Sequence, residues 1–223
     1  PYVVIEDSVQ IGNDVSIGAG SFVGQDTMIG DGTNIRANVS IYHDIIIGKN
    51  CIVDSGSIIG ADGFGLVSHK GVQHKMPHIG KAIIKDNVLI GANCCVDRGT
   101  LNDTVVGAGT KFDNFIQIAH NVQIGENCIL SGQTAIGGST ILEDNVTLAG
   151  QVGVIDHLVL GSGSVVAAKS GVFQSIEPNS FVSGTPAKPH KDRLKQNVAL
   201  GKLPELLKRV RKLEQENTLV KDK

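Results

Sequence analysis

An all-β fold, a parallel β-helix with a helical tail, is what this sequence predicts, and three observations carry the prediction. An apolar residue recurs every six positions from Ile5 to Ile59, again at Ile84, Ile90 and Val96, and then from Val106 to Val172. Gly follows it in 11 of these 25 places, and a small or β-branched residue usually stands four places on, as at Ser21, Thr27, Thr110 and Thr134. Aromatic residues make up only 4% of the chain while 41% of it is hydrophobic, which suits a narrow and regular interior.

Six is neither the period of a helix nor that of a plain strand. It is the period of a solenoid in which short strands alternate with tight turns and each coil stacks on the last. Each hexapeptide sends one apolar and one small side chain inward. The recurrent Gly reads as the residue that lets the backbone turn at positive φ. If three hexapeptides close a triangular coil, the repeats give about eight coils spaced by the ~4.8 Å between strands. The handedness is not contained in the period.

The repeat places the β-helix over residues 1–187. Residues 65–83 break the period and read as an inserted loop, and a four-residue excess near Asn102–Val105 reads as a smaller bulge. Loops thrown out of a rigid scaffold are common places for function. Residues 188–223 change character. Pro204 suits the first turn of a helix, and Leu203, Leu206, Val210, Leu213 and Val220 approximate a heptad seam. Such a helix would cap the open prism or pack on neighbouring subunits, and its basic residues would also offer a docking face to an acidic partner.

The 223 residues carry a net charge of −2, which hides a body of −8 over 1–187 and a tail of +6 over 188–223. An acidic body argues against nucleic acid as the main partner. No apolar run approaches the roughly 20 residues of a membrane span, and the first residues lack the charged head of a signal peptide. Cys51, Cys94 and Cys128 fall on the small inward position, which reads as reduced core packing and fits a reducing cytoplasm.

The repeat departs from scaffold at Gln117-Ile118-Ala119-His120-Asn121, where Ala replaces the usual Gly and a His follows. With 18 residues per coil, Gly138 lies above His120, and Asp156 and His157 lie one coil higher. A neutral His can take a proton from an attacking amine or hydroxyl, and a backbone N–H at a Gly can steady a developing oxyanion. Acyl transfer is the chemistry such an edge could perform. His69, His74 and His78 belong to the insertion; a zinc site there is conceivable, but they break the coil register and no metal is assigned.

Several stretches resemble the UDP-3-O-acylglucosamine N-acyltransferase family. They are Ile59-Gly60-Ala61-Asp62-Gly63-Phe64-Gly65, Asp97-Arg98-Gly99-Thr100, Lys111-Phe112-Asp113-Asn114, the stretch through His120, Gly138-Ser139-Thr140, and Ala149-Gly150-Gln151-Val152-Gly153 through His157. The resemblance implies a left-handed β-helix and a cytoplasmic homotrimer with sites between subunits. It implies transfer of a 3-hydroxyacyl group from acyl carrier protein to the 2-amine of a UDP-3-O-acyl sugar in lipid A synthesis. No cofactor is implied beyond the carrier's phosphopantetheine thioester. His120 would be the base and Gly138 the oxyanion donor. His157, Asp113, Asn114 and Gln117 would line the substrate cleft, and the basic tail would meet the acidic carrier. Relative to the family, the repeat begins at once where a uridine-binding domain is expected before it, and Asp54 and His78 stand where His and Gln are expected. A CoA-dependent sugar N-acyltransferase, a non-catalytic β-helix scaffold or sugar-binding module, and a zinc hydratase are the alternatives.

Overall fold

The structure is a computed structural model that describes residues 1–185 and 189–221, with side chains of the terminal helix to residue 215. It forms two compact units, Pro1–Thr185 and Pro186–Lys223.

The first unit is a three-sided prism. Its strands lie in three parallel sheets of nine, eight and nine strands. Each strand pairs with the one a full turn later, as Val4–Ile5 does with Phe22–Val23 and Phe22–Val23 with Ser40–Ile41. This makes between eight and nine coils, slightly more than the period suggested. The apolar residue of each hexapeptide is buried throughout the middle of the prism, from Val23 to Val172. Only at the open first coil are Ile5 and Ile11 exposed. Each fully buried Ile or Val contributes about 1.5–3 kcal/mol relative to exposure, and the stacked column makes that gain repetitive.

The small inward residues do more than fit. Thr27 donates its hydroxyl to the Tyr42 carbonyl at 2.9 Å and accepts from the Ile45 N–H at 3.3 Å. Thr33 and Thr110 bridge to the next coil in the same way. A hydroxyl here satisfies a donor and an acceptor that the prism wall would otherwise bury unpaired. Cys51, Cys94 and Cys128 take the same position, are free and buried, and point their thiols at the carbonyls of Lys85, Asp113 and Glu143.

The glycine rule differs from its sequence expectation. Except for Gly60 at φ 87°, the glycines that follow the apolar residues, such as Gly24 and Gly125, do not have positive φ. A Cβ on Gly125 would lie 2.7 Å from the Asp144 backbone nitrogen, so these glycines make room for the next coil. The positive φ falls two residues later, and mostly on Asn, Asp or another non-glycine residue, as at Asp26, Asn38, Asn50 and Asn127. Short polar side chains tolerate that left-handed conformation.

The insertion is a β-hairpin, Leu66–His69 paired antiparallel with Val72–Lys75, after which the chain returns to the prism at Ala82–Ile84. The smaller excess lies between Cys95–Asp97 and Thr104–Val106, a few residues earlier than the period placed it. The tail is one helix, His190–Lys221, and Pro204 stands inside it, not at its start. Pro189 occupies the helix entrance, where its carbonyl accepts from the Asp192 and Arg193 N–H groups. Leu203, Leu206, Val210 and Leu213 are exposed along the helix; the Val220 side chain lies outside the described residues. No described helix is long and apolar enough to cross a membrane.

Candidate active site

The site forms where the insertion folds back onto the corner that follows the strand Gln117–Ile118. His120 is the first residue of that turn and is half-buried. Its neighbour Asn121, held at φ 63°, decides the state of the imidazole. The Asn121 side-chain Nδ2 donates to the Asn102 carbonyl at 2.9 Å, and its Oδ1 accepts from the Thr100 N–H at 3.1 Å. Its amide can therefore face only one way. Oδ1 also lies 2.9 Å from His120 Nδ1, so Nδ1 carries the hydrogen and the neutral ring keeps its lone pair on Nε2.

Gly138 covers that ring. A Cβ on Gly138 would fall 2.7 Å from His120 Cε1 and 2.9 Å from Nε2, so only a glycine lets the two coils approach and leaves Nε2 open. At several equivalent corners the N–H in the Gly138 position is capped by a side chain from an adjacent coil: Asn13 by Asp31, Gln25 by Glu6, Glu126 by Asp144, Gly132 by Asp113 and Ser162 by Glu143. Ala119 stands where Glu6, Asp113 and Glu143 stand at other corners. Among the described residues nothing caps the Gly138 N–H. A proton acceptor and a free backbone donor thus sit on one edge, the pair that attack on a carbonyl requires.

The insertion supplies the roof. His78 is buried, and its ring meets that of His120 edge-on, with centroids 5.4 Å apart. Its Nδ1 donates to the Met76 carbonyl at 3.0 Å. Gly63 and Gly65 make the approach feasible. A Cβ on Gly63 would lie 2.8 Å from His120 Cδ2, and one on Gly65 would lie 2.8 Å from His78 Cε1.

Beneath the site, Asp97 is almost fully buried and accepts from Gln117 Nε2 at 3.1 Å and the Cys95 thiol at 3.5 Å. Burial pushes its carboxyl above the usual range, against the pull of Gln117, Cys95 and the two imidazoles. The same burial, with Asp97 beside it, pushes the Cys95 thiol up to about 12. Arg98 is fully buried. Its Nε donates to the Gly60 carbonyl at 2.9 Å, and its guanidinium meets both the ring and the carbonyl of His43. This fixes the strand end that carries Asp97.

The structure brings His120, Gly138 and, through Asp97, Gln117 together. His157 shares the edge but stands one residue out of column. Its N–H donates to the Gly138 carbonyl at 3.0 Å, while its exposed ring lies 3.8 Å from Asp156. Asp113 and Asn114 lie at a different corner, in a 540 Å³ cleft with Phe115, Gln151 and Lys169. There Asp113 caps Gly132 and Asn114 caps Ala92. A 690 Å³ cleft borders the His120 corner, lined by Thr100, Leu101, Asn102, Asn121 and Ser139. Thr100, Asn121, Asp97 and His78 are site residues that the repeat did not single out. His69 and His74 face each other across the hairpin with ring centroids 6.4 Å apart. No group of three or more potential ligands among the described residues is placed to hold a metal.

Two family models match the chain: bacterial transferase hexapeptide (six repeats), over residues 26–61 and 103–138, and hexapeptide repeat of succinyl-transferase, over 8–43 and 81–110. A protein of Methylorubrum extorquens strain PA1 named UDP-3-O-acylglucosamine N-acyltransferase is 45% identical over 160 residues, 72% of this chain and 46% of that protein. One of the same name from Methylococcus capsulatus is 37% identical over 172 residues, 77% of this chain and 49% of that protein. The chain therefore spans about half the length of the curated relatives it matches. Among solved structures, LpxA, a UDP-N-acetylglucosamine acyltransferase from Bacteroides fragilis, superposes with a TM-score of 0.74 at 27% identity, covering 81% of this chain and 69% of that one. The UDP-N-acetylglucosamine acyltransferase of Campylobacter jejuni gives 0.75 at 26%, covering 84% and 72%. The coils share the left-handed β-helix of these neighbours. By the two repeat models and this level of identity, the chain belongs to the bacterial hexapeptide-repeat family, its β-helix homologous to part of the UDP-3-O-acylglucosamine N-acyltransferases.

Proposed function

We propose that this chain carries the acyl-transfer centre of an N-acyltransferase, moving a 3-hydroxyacyl group from acyl carrier protein to the 2-amine of a UDP-3-O-acylglucosamine in lipid A synthesis. The single observation that supports it most is the His120 ring, held by Asn121 with Nε2 free and laid against the uncapped Gly138. The amine lone pair forms the N–C bond while the thioester carbonyl π pair moves onto oxygen. His120 Nε2 takes the amine proton and the Gly138 N–H meets the oxyanion. Collapse of that oxyanion breaks the C–S bond, and the imidazolium returns its proton to the departing thiolate.

In this reading the protein is a cytoplasmic homotrimer. Asp113 and Asn114, at their own corner, reach substrate only from a neighbouring copy, and the basic helix His190–Lys221 meets the acidic carrier. The phosphopantetheine thioester is a co-substrate and no resident cofactor or metal takes part.

The test is acyl transfer from 3-hydroxyacyl-carrier protein to UDP-3-O-acylglucosamine by wild type and His120→Ala. The reading expects wild-type turnover and a loss of about 10²–10⁴-fold in the variant. Equal turnover by both proteins would sink it, as would a wild type that transfers only from acyl-CoA.

A further inference from the structure

We propose that Thr100 is a specificity-determining residue: its hydroxyl donates to the carbonyl oxygen of the ester that stands beside the reacting amine. The inference deepens the acyl-transfer reading above and rests on it for its kinetic arm.

A free hydrogen follows from the bonds around the base. Asn121 Oδ1 accepts from the Thr100 N–H and from His120 Nδ1, which puts the imidazole hydrogen on Nδ1. Thr100 Oγ1 lies 3.4 Å from that same nitrogen. An oxygen that faces an N–H accepts from it, so the threonine's own hydrogen points elsewhere, and no acceptor among the described residues takes it. The inward threonines differ: Thr27, Thr33 and Thr110 all give their hydrogens to carbonyls of the next coil. Thr100 is half-buried and lines the 690 Å³ cleft at the His120 corner, so its donor opens on space that a substrate can enter.

The rest of the lining decides which oxygen meets that donor. In a UDP-3-O-acylglucosamine the amine-bearing carbon has two flanks, one leading to the diphosphate and the other carrying the ester. No Lys or Arg lines this cleft, and its one charged lining residue is Asp103, whose carboxylate repels a diphosphate. The other wall is apolar. Leu101 is 75% exposed and Ile141 41%, and Val105 lines the cleft with them. An acyl chain leaving the ester would cover that surface. An ester carbonyl only accepts, which matches a hydroxyl with its hydrogen unspent.

The experiment compares full-chain wild type, Thr100→Val and Thr100→Ser. Val keeps the branched shape and loses the hydroxyl; Ser keeps the hydroxyl. The acceptors are UDP-3-O-acylglucosamine and its 3-O-alkyl ether, which has the chain without the carbonyl. Rates are measured with 3-hydroxyacyl-carrier protein, and sugar binding by calorimetric titration without the carrier. We expect Thr100→Val to raise the KM and Kd for the ester sugar about fivefold, with the loss carried by KM and not by kcat, and Thr100→Ser to recover most of it. All three proteins should treat the ether alike. A Val variant that binds the ester as wild type does, a Ser variant no better than Val, or an equal loss on ester and ether would each overturn the proposal. The last would show that the hydroxyl acts on His120 and not on the ester. Hydroxyl-dependent binding of the ester sugar without turnover would sink the acyl-transfer reading and leave this one standing. Wild-type turnover with no dependence on the hydroxyl would do the reverse.

Discussion

Gly138 lies flat against the imidazole of His120, so closely that a methyl group on it would stand 2.9 Å from Nε2. The φ of Gly138 is ordinary for an L-residue, so its backbone would accept alanine without strain. The ring could not swing aside, because Asn121 holds Nδ1. Gly138→Ala should therefore lower kcat by about 10²–10³-fold while Tm stays within a few degrees of wild type. A variant that keeps full turnover would remove Gly138 from the chemistry.

Asn121 has two roles that one substitution separates. Its φ of 63° suits glycine at least as well, so Asn121→Gly keeps the turn and deletes the amide that fixes the tautomer. The Thr100 N–H and Asn102 carbonyl, both near solvent, lose a partner as well. We expect kcat to fall about 10–100-fold and the His120 nitrogens to show a mixture of tautomers in ¹⁵N spectra. A single Nδ1–H tautomer in the variant would mean that something other than Asn121 sets the proton.

The strands and the inward column were legible because one apolar residue per six is enough to define the prism. The stacking of Gly138 on His120 was equally legible, since 18 residues per coil is arithmetic. The period broke at residue 65, and nothing periodic could say that the chain would return His78 to the ring of His120. Asn121 was hidden for a different reason. Asn is the ordinary residue at positive φ in these turns, as at Asn38 and Asn127, so its contact with His120 looks like turn chemistry until the distances are known. Pro204 misleads because its preference for a first turn says nothing of the fourteen residues before it, which are also helical.

Asp97 links the site to stability. Its carboxyl is pushed above the ordinary value of 3.8, first by burial, so the folded protein holds that proton more tightly than the unfolded chain does. The stability this supplies is complete below the unfolded value and is lost as pH climbs through the raised folded one. At neutral pH the buried carboxylate is a liability. Asp97→Asn keeps an acceptor for Gln117 and should raise Tm at pH 7, with the gain shrinking toward pH 4. Turnover should fall, because the charge of the carboxylate acts on the imidazole of His120. Thermal melts at the two pH values decide it: an equal Tm difference at both would show that ionisation of Asp97 does not matter.

The corner glycines provide a sharper test of what shapes the coil. If positive φ were the reason for them, Gly125 would be the residue that the turn needs and Asn127 an incidental neighbour. The structure assigns the strained conformation to Asn127, at φ 54°, and gives Gly125 ordinary φ with the Asp144 backbone pressed where its Cβ would go. Asn127→Gly should then change stability by less than about 1 kcal/mol, since glycine adopts that conformation freely and loses only chain entropy. Gly125→Ala should cost about 1–3 kcal/mol, because the next coil is backbone and cannot yield as a flexible side chain would. For a domain of this size that is roughly a 2–10 °C drop in Tm, measurable by calorimetry on the two variants. The reverse order would mean that the turn, not the spacing between coils, is what excludes side chains at this position.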